Sequence, residues 1–559
     1  KQNNGTWILP ADNTYSGSTS ISEGYGTLTY TGSNNLAGAF AIENGILRLP
    51  AGAFMKSAAN FGIRKGGAFH LDGGTFIRNT PTPDGETFSI GHNTGGYGHL
   101  AVNSGSLTCT RLYAGWSGIG TTRFTGGTAA FTHFVHVGRY SYGTLTVMPG
   151  GSVSQPEITD DNDGYLGFDG GRGELNLLGG AYLQARGKFQ AGQNNNAATS
   201  IVNLCAGTLT RRYFLYSKGV LLVNFAGGTL KYPDRDAIAS SMLPQNSAVS
   251  VYSYGPRDGS AGGAVIDTNG RDVNLQAAVL APAGQGVSAI AVEQKGSRYL
   301  GEPYVRIEGD GYGACAVANM EDDGQGRGTY RVASVTVTCP GVNYTTPPTV
   351  TFLGGACIVT AQVSTVTLAP NTSGGFTKSG AGTLTVSGAN TYTGATTVAV
   401  GTLKLGAAQA LPAGTPVVLA GGTLDLNGAT VTNAVSGSGT LANGTVETVL
   451  SPAGAGMVGT DAVTLSGAAL RGTYLADVTT AGAGDLVAVT GDIDLAQLVL
   501  QLVDPLALNR QQAYTILTCT GTRSGALAGT NLPQGWRASY HTPGVVKLVY
   551  ASGTLIRVR

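Results

Sequence analysis

Charge is scarce in this chain. Asp, Glu, Lys and Arg make up 12% of its 559 residues, and 33 basic side chains nearly cancel 32 acidic ones. An ordinary globular domain is about a quarter charged. The balance leaves no basic field that could recruit nucleic acid or anionic lipid. Arg211-Arg212 and the mixed run Lys231–Asp236 are too small to supply one, so nucleic acid is not expected as a partner. No apolar run reaches the about 18–20 residues of a spanning helix, and the chain is not expected to cross a membrane. Cysteine is sparse, six in all, and none has the paired CxxC spacing of a zinc site. The cysteines leave the redox compartment open. The Lys-poor, Thr-, Ser-, Asn- and Gly-rich composition points to the outside of a bacterium. A first residue of Lys1 suits a mature protein whose signal peptide has been removed.

Glycine is abundant, at 88 residues. It falls between short runs such as LTVSG, LNLLGG and IVNLCAG, which alternate aliphatic and small polar residues with the period of two that marks strands. The stretch Gly26–Leu49 recurs without a gap at Gly382–Leu405, keeping Gly26/Gly382, Leu28/Leu384, Asn34/Asn390, Gly38/Gly394 and Leu49/Leu405 in step. Between the two copies a shorter signature returns: GHLAVNSGS at Gly98–Ser106, GTLTVMPGG at Gly143–Gly151 and GELNLLGGA at Gly173–Ala181. Glycines near 74, 105, 127, 151, 180, 207 and 228 mark the repeat. The interval suits one coil of three short strands and three corners. Glycine turns the corners at positive φ without a Cβ penalty. The pattern predicts an all-β chain wound as a parallel β-helix, a solenoid whose aliphatic residues stack in columns.

Two segments interrupt it. Gln285–Val363 is itself a duplication: IAVEQKGSRYLGEPYVRI at Ile290–Ile307 aligns with VTVTCPGVNYTTPPTVTF at Val335–Phe352, pairing Tyr299 with Tyr344 and Pro303 with Pro348. From about Asp461 strands lengthen and glycine thins, as expected of an antiparallel or mixed cap over the last coil's open edge. The predicted organisation is β-helix over 1–284, an inserted duplicated β-domain over 285–363, β-helix again over 364–460 and a C-terminal β cap over 461–559.

Phe376–Gly406 resembles the autotransporter-associated β-strand repeat, also called the passenger-associated transport repeat. The resemblance rests on Lys378, Gly380, Gly382, Leu384, Val386, Gly388, Asn390, Tyr392, Gly394 and Thr396, with a partial copy at Asn13–Ile21. It implies a right-handed parallel β-helix on a secreted or surface protein of Gram-negative-type bacteria. Members of this family end in a membrane β-barrel, which this chain is too short after its repeats to contain. Either a barrel has been removed or the protein is a freely exported repeat protein, and the second is the expectation.

Candidate sites are few. Asp160, Asp161 and Asp163 form an oxygen-rich turn that could hold Ca²⁺, although their spacing also suits a plain Asx turn. Asp169, Arg172, Glu174, Arg186, Lys188, Arg211 and Arg212 would serve a polysaccharide lyase or hydrolase if they shared one outward face. Scattered charges on a solenoid are ordinarily solvated. His133 and His136 are three apart, a poor chelate on a strand. Cys315 and Cys357 occupy matching places in the duplication, so a disulfide between them, or with Cys339, competes with a pair of core thiols. Aromatic residues crowd 97–216, among them Tyr113, Trp116, Tyr140, Tyr165 and Phe168, and an outward ladder of them would suit sugar stacking or subunit packing. No catalytic or cofactor-binding residue is assigned, and the chain is not expected to be an enzyme. The expected role is a secreted structural protein that self-assembles into a filament, sheath or surface layer. A glycan-binding adhesin is the alternative, and a polysaccharide lyase or hydrolase the second alternative.

Overall fold

The structure, a computed structural model, describes residues 5–10, 12–22, 24–78, 88–155, 163–184, 189–192, 194–234, 241–257, 260–452, 454 and 461–551. Apart from two short 3-10 turns, Ala408–Ala410 and Pro505–Ala507, its regular elements are all β-strands among the described residues. No helix there is long and apolar enough to cross a membrane. The chain forms two compact units. One comprises Lys1–Asp234, Ser240–Val265 and Val279–Gly374; the other comprises Arg235–Ala239, Ile266–Ala278 and Gly375–Arg559.

In the first unit each repeat signature is a strand paired in parallel with its counterparts before and after it. Gly98–Val102 lies between Gly67–Leu71 and Gly120–Phe124. The series continues through Gly143–Val147, Gly173–Leu177, Ser200–Leu204 and Leu221–Phe225. Alternation then decides which residues are inside. Leu100, Leu145, Leu175, Val202 and Val223 form one buried column, and Leu71, Val102, Phe124, Val147, Leu177, Leu204 and Phe225 form another. Each such side chain contributes about 1.5–3 kcal/mol on burial. The corners explain the glycine spacing. Gly105 has φ +88°, and a Cβ there would lie 2.2 Å from the Gly74 carbonyl oxygen of the coil before. No side chain fits where successive corners ride this closely on one another.

The first unit also carries an arm, built from the duplicated segment. Gln285–Gln294 pairs antiparallel with Gln362–Pro370 at its root. Beyond it lies a four-stranded sheet in the order Tyr330–Cys339, Cys315–Asp322, Tyr304–Glu308, Thr349–Leu353. The two copies meet through equivalent strands, with Val305 opposite Phe352 and Ile307 opposite Val350. Tyr299, Val305, Val332, Tyr344 and Phe352 give the arm a core of its own.

The second unit repeats the parallel scheme. Thr383–Val386 pairs with Thr402–Leu405, and the pairing passes to Thr423–Asp425, Thr440–Ala442, Thr464–Ser466 and Ala488–Thr490. Parallel pairing therefore extends well beyond Asp461. Antiparallel pairing enters with Val545–Tyr550, which lies against Tyr514–Cys519 and Trp536–Ser539.

Candidate functional site beneath the inserted arm

Between the inward columns run outward ones, and the arm lies over two of them. Parallel register places Arg48, His70, Ala101, Arg123, Thr146, Asn176, Asn203 and Asn224 in one row. Ile46, Ala68, His99, Thr121, Thr144, Glu174, Ile201 and Leu222 form the next. These are the polar positions of the repeat signature, and the arm takes most of them out of water.

The turn Leu300-Gly301-Glu302 is the centre of the contact. Leu300 packs on Ile46 and Ala68. Its carbonyl accepts from His70 Nε2 at 3.2 Å. The Glu302 carbonyl accepts from Tyr97 Oη at 2.7 Å and from Thr121 Oγ1 at 2.8 Å. With its hydrogen so committed, the Thr121 hydroxyl receives the His99 Nδ1 proton at 2.9 Å. Gly301 lies flat against His99, where a Cβ would come 2.4 Å from that side chain. Arg123 closes the grip: Nη1 donates to Glu302 Oε2 at 2.9 Å and to the Ala318 carbonyl at 3.0 Å, and Nη2 to Asn319 Oδ1 at 3.0 Å. Earlier in the same row, next to His70, Arg48 pairs with Asp72 at 2.8 Å and donates to Tyr330 Oη at 2.6 Å. A cleft of about 340 Å³ remains among His70, His99, Asn103, Arg123, Glu302 and Tyr330.

Burial sets the charge states here. It lowers His70 to about 4, with nearby Arg48 adding to the effect, and holds His99 well below the ordinary imidazole range. Both rings are neutral at pH 7. Burial raises the Glu302 carboxyl, against the pull of Arg123. Further along, Tyr304 Oη donates to Glu174 at 2.6 Å, and Glu174 pairs with Arg172 at 2.7 Å. Asn224 donates to Asn203 at 2.8 Å and Asn203 to Asn176 at 2.7 Å, a ladder of side-chain amides under the arm. Arg257 reaches the Thr338 carbonyl at 2.6 Å. The chemistry of this face is therefore that of a clasp: coil donors end on arm acceptors at His70, Tyr97, Thr121, Arg123 and Arg257, and the arm's Tyr304 donates back to Glu174. The arm's other copy of the turn, Thr345-Thr346-Pro347, is exposed, and Thr345 N donates to Asp310.

Among the described residues, the charged side chains singled out in the sequence do not converge. Arg172 and Glu174 are paired beneath the arm, whereas Asp169 lies 3.6 Å from Arg139 and accepts from Asn194. Arg211 is buried with its guanidinium 3.7 Å from the Phe189 ring centre. Arg186, Lys188, Asp160 and Asp161 lie outside the described residues. Asp163 is 5% exposed and accepts from Tyr165 Oη at 3.0 Å. Among the described residues no three His, Cys, Asp or Glu side chains are grouped as a metal would require. His70, His99, Arg123 and Glu302 were not singled out by sequence reasoning. The only signal was the polar position inside GHLAV and its equivalents.

The aromatic residues do form an outward ladder. Tyr113, His136 and Tyr165 are in register, with ring centres 4.7 and 4.3 Å apart. Arg139 lies over Trp116 at 4.4 Å and over Phe168 at 5.3 Å. The rings stack on one another along the ladder, so their faces are covered by neighbours. That arrangement serves packing between coils more directly than stacking of a sugar.

In the two copies that carry it, Asn-x-Tyr-x-Gly-x-Thr makes one and the same contact. Tyr15 Oη meets Thr19 Oγ1 at 2.7 Å, and Tyr392 Oη meets Thr396 Oγ1 at 2.6 Å. Asn34 donates to the Phe54 carbonyl and Asn390 to the Ala410 carbonyl, each tying its coil to the next. Lys378 is fully buried, and its ammonium donates to the carbonyls of Ser379, Gly380 and Val400 at 2.9, 2.6 and 2.9 Å. A search of curated proteins finds no match to the chain. The family model of the passenger-associated transport repeat matches residues 1–25, 23–49 and 376–405, and the chain carries that repeat in these three segments.

Proposed function

We propose that this protein is an extracellular scaffold of the autotransporter-passenger kind. Each unit is read as a stretch of right-handed parallel β-helix. The first carries the arm as a lateral projection, and the second ends in a strand-rich cap. In this reading copies of the chain associate with one another into a filament, sheath or surface layer. The observation that carries it is the use made of the chemistry-bearing residues: Arg48, His70, His99, Arg123, Arg172 and Glu174 are engaged in holding the arm or one another. Passenger-associated repeats support placement outside the cell. The low charge supports association, since copies repel one another little. Negative-stain electron microscopy and light scattering of the purified chain over rising concentration test the proposal. Ordered polymers are expected, and monodisperse particles at the highest concentration would refute self-association.

A further inference from the structure

We propose that Cys315 and Cys339 are an oxidisable pair, and that a disulfide between them is the finished form of the arm under oxidising conditions. The two residues are direct partners in the antiparallel pairing of Cys315–Asp322 with Tyr330–Cys339. Opposed residues in such a pair have Cα atoms about 4.5–5.5 Å apart, inside the about 4.4–6.8 Å that a disulfide spans. Their side chains share a face, because both belong to one apolar cluster with Ile201, Leu222, Tyr252 and Tyr254 of the coils. Cys357, which the sequence offered beside Cys339 as a candidate partner, has its sulfur against Thr360.

The surroundings determine when the bond forms. With the arm docked both thiols are 1% exposed. Cys315 Sγ touches Arg172 Nη2 at 3.5 Å, and Cys339 Sγ donates to Tyr254 Oη at 3.5 Å. Burial raises both thiols above their ordinary range, so in the docked arm they are protonated and inaccessible. A thiolate is the attacking species, which places the reaction before docking, while the hairpin is open to solvent. A low-molecular-weight disulfide such as oxidised glutathione supplies the oxidising power. One thiolate attacks it, forms a mixed disulfide and releases one glutathione thiol. The second thiolate attacks the mixed disulfide at the protein sulfur and releases another. Two cysteine thiols thus lose two protons and two electrons, and two glutathione thiols carry them away. The bond then lies in the buried seam, out of reach of further exchange.

The third thiol nearby, Cys205 on the coil, has its Sγ 3.0 Å from the Thr338 carbonyl. It belongs to the surface on which the arm lands, so a hairpin oxidised before landing has no use for it. The experiment is refolding of the full chain from denaturant, once with oxidised and reduced glutathione and once with excess reductant. Thiols are then blocked and the chain digested without reduction for mass spectrometry. The expected product of the oxidising arm is a linked peptide pair joining Cys315 to Cys339 in most molecules, absent from the reducing arm and retained in Cys205→Ala. Recovery of both cysteines in blocked form after oxidative refolding would overturn the proposal. A link from Cys339 to Cys205, or loss of the Cys315–Cys339 link in Cys205→Ala, would overturn it equally.

Discussion

Lowering the pH from 7 towards 4 protonates imidazoles, and His70 is placed where that proton is least welcome. Its ring lies between the coil face and the arm, with Arg48, Asp72, His99 and Tyr330 around it. Docked, it titrates at about 4; released, it would return towards 6.5. The released form therefore binds more protons across that interval, and docking is strongest above about pH 6.5 and weakens as pH falls towards 4. The gap between 6.5 and about 4, at about 1.4 kcal/mol per pH unit, amounts to roughly 3 kcal/mol. That is about two orders of magnitude in the equilibrium for lifting the arm. Hydrogen exchange of the peptide spanning 296–304, compared at about pH 7 and about pH 4.5 after correction for intrinsic rates, reads this directly. His70→Gln removes the titrating group while keeping a donor for the Leu300 carbonyl. Its exchange is expected to depend less steeply on pH, the remainder coming from His99, which burial also holds low. An equally steep pH dependence in His70→Gln would refute the assignment, as would unchanged protection of the wild-type arm at the lower pH.

Arg123→Met strands the Glu302 carboxyl in a buried seat and is expected to destabilise the docked arm by about 3–5 kcal/mol, seen as faster proteolysis within 285–363 while the coils persist. Gly301→Ala drives a Cβ into His99. It should produce the same release without touching a charge, measured by the same digestion. Lys378→Met leaves the carbonyls of Ser379, Gly380 and Val400 without this donor and should cost about 1.5–3 kcal/mol for each charged hydrogen bond not replaced by water, read as lost protection over 376–405.

Much of the architecture could be read from the chain because its causes are local. A corner glycine is needed wherever one coil passes tightly over another, and Leu or Val must recur two residues apart on the inward side. Both therefore appear as spacing, as at Gly105 and in the column through Leu100 and Leu145. Tyr299 and Tyr344, which the internal repeat of the segment aligns, both lie in the core of the arm. The clasp was not legible. Arg123 and Glu302 are 179 residues apart in sequence, and nothing near either residue signals the other. The polar position of GHLAV or GTTRF reads the same whether water or an arm covers it. The strands expected to be antiparallel or mixed from Asp461 are mixed: parallel pairing continues because Val463, Leu465, Val487 and Val489 extend the inward columns, and antiparallel pairing enters with Val545–Tyr550. Longer strands and fewer glycines did not end the parallel stacking.

The twin turns of the arm have unequal duties. Leu300-Gly301-Glu302 is fitted to a particular socket, so each of its three residues answers to a shape on the coil: an apolar floor, the flat of an imidazole and a guanidinium. Thr345-Thr346-Pro347 is exposed, and Thr345 is held by Asp310 of the arm itself. Duplication thus gave the arm one turn fitted to the coils and one exposed turn. A tag, an epitope or an enzyme grafted at the second turn should be displayed outward without disturbing the mooring at the first.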